Sequence, residues 1–240
     1  MVLRFSILAV AFLLSCTSIE RDSVCDEKSI YYNGCVVGVS SSSSGGGRFI
    51  DSRDNKSYRY VKIGYQTWMA ENLNYNEPGS KCYDNDLANC AAYGRLYNWA
   101  TAMALDASCN SSPCSQAGTK HKGICPSGWY IPNDNDWIKL VNYVESENYC
   151  SDCAAAYLKS NIGWNGNGNG NDKYGFSALP GGDGGSDGYF SIVGNFGYWW
   201  SSTEHGTYNA YSRYIGYDRK YADIYDSGKS LFRSVRCLQY

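Results

Sequence analysis

Eleven cysteines are the first chemistry this sequence offers, because a thiol can ligate zinc, exchange electrons or cross-link the chain. Zinc wants clustered ligands at short spacings. The only two histidines, His121 and His205, stand in no such spacing with the cysteines. Cys150-Ser151-Asp152-Cys153 is a CxxC, but it lacks the preceding strand and βαβ context of a redox motif. Cross-linking is left. With Cys16 set aside, the remaining cysteines form an even set, which in an exported chain is a disulfide framework. Spacing pairs Cys25 with Cys35 across a hairpin-like Tyr31-Tyr32-Asn33-Gly34, since Asn-Gly is a strong turn signal. It also pairs Cys82 with Cys90, Cys109 with Cys114 around Pro113, and Cys150 with Cys153. Cys125 and Cys237 remain, and together they would close a long loop.

The other reactive groups are sparser. Asp183, Asp187 and Glu204 are carboxylates without a paired-acid motif, and no nucleophile elbow is present. Asn165, Asn167, Asn169 and Gly170 fit the first half of a calcium loop, but Phe176 stands where the bidentate Glu belongs. A glycine-rich loop is predicted there, with no metal and no cofactor. The formal charge of −2 argues against a nucleic-acid partner, which would want a basic face.

The elements that position these groups are organised around residues 123–137. Pro126 and Gly128 make a tight turn, Trp129-Tyr130-Ile131 is a short apolar strand, and Pro132 stops it. Asn133 is a helix N-cap, with Asp134 and Asp136 in the first turn. Trp137, Leu140, Val141 and Val144 then make one apolar helix face. Tyr58 to Ile63 alternates as a strand ended by Gly64. Trp68 to Leu73 is a second strand, Tyr93 to Tyr97 is extended, and Asn98 caps a short helix over residues 99–105. A further short helix is predicted over residues 154–159.

Residues 1–15 carry one charge, Arg4, ahead of an apolar run too short to span a bilayer. Leu13-Leu14-Ser15-Cys16 resembles a bacterial lipobox, which implies cleavage before Cys16 and a lipid on its thiol. Residues 16–50 then form a tether, with the small Cys25–Cys35 hairpin and a Ser/Gly-rich linker that cannot bury a core. Residues 51–240 make one domain. Its last third is dense in tyrosine: Tyr208, Tyr211, Tyr214, Tyr217, Tyr221 and Tyr225 follow Trp199 and Trp200. The two tryptophans are expected in the core. The tyrosines, with the Asp183 to Tyr189 loop, are expected to offer a ligand surface, because a phenol gives a flat apolar face and a hydroxyl at low entropic cost.

Six ordered blocks carry a family resemblance. They are residues 61–73, Tyr93-Gly94-Arg95-Leu96-Tyr97-Asn98-Trp99, Cys125-Pro126-Ser127-Gly128-Trp129, residues 175–182, Trp199-Trp200-Ser201-Ser202-Thr203-Glu204 and Ser234-Val235-Arg236-Cys237. Together they resemble the Fibrobacter succinogenes major paralogous domain over about Tyr58 to Leu238. More distantly, Trp129-Tyr130-Ile131-Pro132 and Trp137 are similar to a block of formylglycine-generating enzymes, and Ser234 to Cys237 stands where those proteins end in a Gly-Phe-Arg strand. This resemblance implies an α+β, C-type-lectin-like fold: small twisted antiparallel sheets, two main helices and long disulfide-stapled loops. The activity is not implied. It needs a dedicated cysteine pair late in the chain, and the only late cysteine here is Cys237.

The expected protein is a lipid-anchored module at the outer membrane or cell surface. It would bind polysaccharide or another surface protein, without catalysis. The competing classes are a structural envelope protein with no discrete ligand and an enzyme of the formylglycine-generating-like fold.

Overall fold

The computed structural model describes residues 45–114 and 120–240 in full, and residues 30–32 and 35–37 as strand backbone. Cys16, Cys25 and the proposed Cys25–Cys35 bridge lie outside the described residues. The chain divides into two units, Met1–Ser41 and Ser42–Tyr240. In the first, β1 (Ile30–Tyr32) and β2 (Cys35–Val37) pair antiparallel, with Tyr32 opposite Cys35. That is the two-residue connection Asn33-Gly34 predicts.

The second unit is α+β, built on two five-stranded sheets. One runs β3 (Gly46–Ile50), β4 (Ser57–Ile63), β5 (Gln66–Met69), β14 (Leu238–Gln239) and β7 (Trp129–Tyr130), antiparallel throughout. The other is mixed. Its order is β12 (Ala222–Gly228), β11 (Asn209–Gly216), β10 (Phe196–His205), β13 (Arg233–Ser234) and β6 (Leu96–Tyr97), with β10 and β13 parallel. A small ribbon joins β8 (Asp183–Gly184) to β9 (Phe190–Ser191).

β3 begins inside the stretch that composition assigns to the tether. The physical reason is at Gly47: a Cβ there would lie 2.7 Å from Tyr60 Oη, so the missing side chain makes room for a cross-strand ring. A strand glycine of this kind and a linker glycine are indistinguishable by composition.

Four α-helices are present among the described residues. α3 (Asp134–Glu147) starts where Asn133 predicts, on a complete capping box: Asn133 Oδ1 accepts from Asp136 N–H at 3.0 Å, and Asp136 Oδ2 accepts from Asn133 N–H at 3.1 Å. α2 (Trp99–Ala102) is capped by Asn98, whose Oδ1 accepts from Thr101 N–H, and stops short of the expected Leu105. α4 (Ala154–Leu158) is one residue shorter than predicted. α1 (Leu87–Tyr93) was not expected, and it takes in Tyr93, the first residue of the stretch read as extended. Its signal was Asp86 ahead of an alanine-rich run, and Asp86 Oδ1 does accept from Ala88 N–H.

Consecutive residues of a strand point to opposite faces, so Trp199 and Trp200 enter different cores. Trp199 packs with Trp68, Trp137 and Phe176 beneath α3. Trp200 packs with Trp99, Trp129 and Met69. Among the described residues four bridges tie the loops: Cys82–Cys90, Cys109–Cys114, Cys125–Cys237 and Cys150–Cys153, with Cα–Cα separations of 4.9, 5.4, 6.0 and 6.1 Å. Four disulfides mark an exported protein that matures in an oxidising compartment. No helix among the described residues is long and apolar enough to cross a membrane.

Candidate binding site

Strand alternation sorts the predicted tyrosines. On one face of the mixed sheet, Tyr198 lies opposite Tyr214, and Tyr225 lies opposite Ser212. Tyr198 and Tyr214 stack with centroids 5.9 Å apart, and the Tyr225 ring stands edge-on to both, 5.6 Å from Tyr214 and 5.9 Å from Tyr198. Phe196 extends the cluster beyond Tyr198, and Tyr221 meets Tyr214 edge-on at 6.4 Å. These are the offset and T-shaped arrangements that aromatic quadrupoles favour. Tyr225 keeps 47% of its surface, while Tyr198 is buried at the inner end.

A charged brace supports that inner end. The Arg233 guanidinium lies 3.9 Å over the Tyr198 ring, and its Nη1 donates to Asp183 Oδ2 at 2.5 Å. Asp183 Oδ1 accepts from Ser191 Oγ at 2.7 Å, so both carboxylate oxygens are occupied. Burial pushes the Tyr198 phenol up from its ordinary range, with the Arg233 charge opposing, so it stays a neutral donor at any physiological pH.

The other expected residues do not join this face. Tyr211 alternates to the opposite side, where its ring stacks on His205 at 4.5 Å. Tyr208 lies 66% exposed beyond the β10–β11 pairing, next to Asn209. Tyr217 leaves the sheet after β11 and packs against the core. Asp183 is a brace rather than a free ligand group. Asp187 is exposed and accepts from Tyr189 N–H within its own turn. The register behind this division includes a β10 irregularity between Trp200 and Glu204, which no local pattern announces. Sequence reasoning also missed Phe196, Tyr198 and Arg233. Tyr198 was hidden beside two core tryptophans, although period-two alternation from Trp199 already sends it to the face opposite Trp199.

The remaining chemically interesting groups are structural. Glu204 accepts from the Lys229 ammonium and from Cys114 N–H. Lys229 is wholly buried and also donates to the Ser112 and Thr207 carbonyls. His121 Nε2 lies 2.7 Å from the Met103 carbonyl. Asn169 Oδ1 accepts from Trp164 N–H, so this part of the asparagine–glycine run is tied to its own loop. Among the described residues no group of three or more metal-ligating side chains converges.

Fold and site together define a disulfide-stapled α+β module that presents an aromatic sheet face. The profile of the Fibrobacter succinogenes major domain matches residues 61–239, and the chain belongs to that family. No curated protein and no solved structure matches it.

Proposed function

We propose that this chain is a lipid-anchored surface module that binds polysaccharide on the Tyr198–Tyr214–Tyr225 face, without catalysis. The observation that carries the proposal is the cluster itself: three coupled rings, one of them half exposed, held from below by the Arg233–Asp183 pair. Flat phenols fixed by their neighbours lose little entropy on meeting a ligand, and their hydroxyls can hydrogen-bond to it. A C-type-lectin-like assignment of the fold is part of the same proposal. It is supported by the C-terminal strands that enter the middle of both sheets and by the bridge from Cys125 to Cys237.

Two measurements test this. Tyr225→Ala and Tyr214→Ala should each weaken binding of a cell-wall polysaccharide about tenfold, near 1.4 kcal/mol. Tyr225→Ala should lower Tm by only about 2–4 °C, since it removes two edge contacts and little buried area. Unchanged binding in both variants, or binding of a surface protein with no glycan binding at all, defeats the polysaccharide reading. The anchor is tested separately. Leu13-Leu14-Ser15-Cys16 is its basis, so Cys16→Ala should move the protein from the membrane fraction to the soluble one. A variant that stays with the membrane has another means of attachment.

A further inference from the structure

A cavity among the described residues lies away from the tyrosine face. Alternation along β4 puts Ser57 and Arg59, both exposed, on the face opposite Tyr58, which is buried in the core. The chain after β5 and the end of α1 close on this surface from the side. They approach so tightly that a Cβ on Gly94 would stand 2.7 Å from Asn72 Cβ, in a left-handed conformation (φ +78°) that favours glycine. Ser177 forms part of the floor. It also has positive φ (+52°), held because Asp172 accepts both its N–H at 2.7 Å and its Oγ–H at 2.6 Å. The cavity is open on one side, and its volume is about 600 Å³, within the range of small-ligand sites.

The walls are polar and of both signs. Lys56, Arg59, Glu71 and Asp172 all line the cavity, with Ser177 and Tyr93. The charges are unevenly matched. Lys56 pairs with Asp54, but Glu71 is shared between Arg59 at 3.2 Å and Arg48 at 3.9 Å, two guanidiniums for one carboxylate. Arg59 is loosely held. Its Nη2 contacts to the Ala70 carbonyl and Ser177 Oγ are 3.4 Å, and its Nη1 has no protein partner among the described residues. An ion pair this exposed is worth little, so Arg59 can turn to a ligand at small cost. A pocket that sets hydrogen-bonding groups beside apolar wall suits a sugar ring, which has hydroxyls at its edge and C–H groups on its face, and a free guanidinium edge suits a carboxylate taken in bidentate fashion.

We propose that this cavity is a second binding site, which takes a sugar residue bearing a carboxylate. The proposal rests on the carbohydrate reading above but on other residues. β13 turns Arg233 toward Tyr198, whereas its neighbour Ser234 accepts from Asn72 Nδ2 at 3.3 Å beside the cavity, so the two sites lie on opposite faces of the mixed sheet.

The test is calorimetric titration of the full chain with D-glucuronate and with methyl glucoside. Glucuronate should saturate at millimolar concentration and bind at least about tenfold tighter than the glucoside, with the difference shrinking as salt is raised. Arg59→Ala should cost about tenfold in glucuronate affinity and Arg59→Lys less, because a lysine offers charge without the fork. Ala91→Trp, on an exposed position of α1 at the cavity mouth, should block binding without touching the core. Tyr225→Ala should leave glucuronate binding intact, which separates failure of this site from failure of the tyrosine face. The proposal is overturned if glucuronate does not saturate, if the glucoside binds equally well, or if Arg59→Ala and Ala91→Trp both bind like wild type.

Discussion

Replacing Cys125 and Cys237 together by alanine should remove about 4–5 kcal/mol of stability. The bridge spans a separation of 112 residues, and in the chain-entropy model that is the loop-closure cost it spares the folded state. Both sulfurs are fully buried, against Met69 and Trp129, so the loss of packing adds to the entropic term. A loss of this size approaches the whole stability of an ordinary domain, about 5–15 kcal/mol. The double variant should therefore unfold at much lower urea. The comparison that makes the test sharp is Cys150 and Cys153, only three residues apart, where the same model gives about 2 kcal/mol. Equal losses for the two bridges would show that loop length is not what the long one contributes.

The second large effect should come from Asn72→Ala, for which we expect a loss of about 3–5 kcal/mol. Arg236 is wholly buried, and its hydrogen bonds go to an amide oxygen and to carbonyls rather than to a carboxylate. Its Nε and Nη2 donate to Asn72 Oδ1 at 3.1 and 2.8 Å, and the Phe176 and Ser177 carbonyls take the rest. Trp199 Nε1 donates to the same Oδ1 at 2.8 Å. One amide oxygen therefore serves three buried donors, and alanine strands them together. The phenyl face of Phe176, 4.3 Å from the guanidinium, supplies the remaining stabilisation of the charge.

The pH dependence has a definite sign. Burial pushes the Arg236 guanidinium down from its ordinary range to about 9. The folded value lies below the unfolded one, so in that window the unfolded chain binds the extra proton and stability rises with pH. Below about pH 8 both states are charged, and the deficit of Asn72→Ala should be constant between about pH 5 and 8. It should narrow only as pH passes the folded value. Urea midpoints of variant and wild type across that range are the measurement, and a deficit that changes between pH 5 and 8 would point to a carboxylate instead.

Much of the fold was legible because its signals are local. Asn133, Asp136 and the Trp137–Leu140–Val144 face fix α3, and the spacing of four described bridges matches the pairs made. What was not legible depends on distant partners. Gly47 is a strand residue only because Tyr60 lies across from it. Lys229, between Gly228 and Ser230, looks like a turn residue, yet it is buried by carbonyls and a glutamate from other segments. The tyrosines that make the aromatic face were partly recognised by type, but their division between faces needed the register of three strands. Arg59, exposed on a regular strand, gave no sign that a helix end and two turns would enclose it.

The placement of the final strands has a consequence for how the protein is made. β14 joins β5 to β7, and β13 joins β10 to β6, so residues 233–239 supply an interior strand to each five-stranded sheet. A polypeptide that emerges amino end first, from a ribosome or a translocation pore, has neither of these sheets complete until that short segment is out. The earlier strands wait for it, and the Cys125 thiol waits a further 112 residues for Cys237.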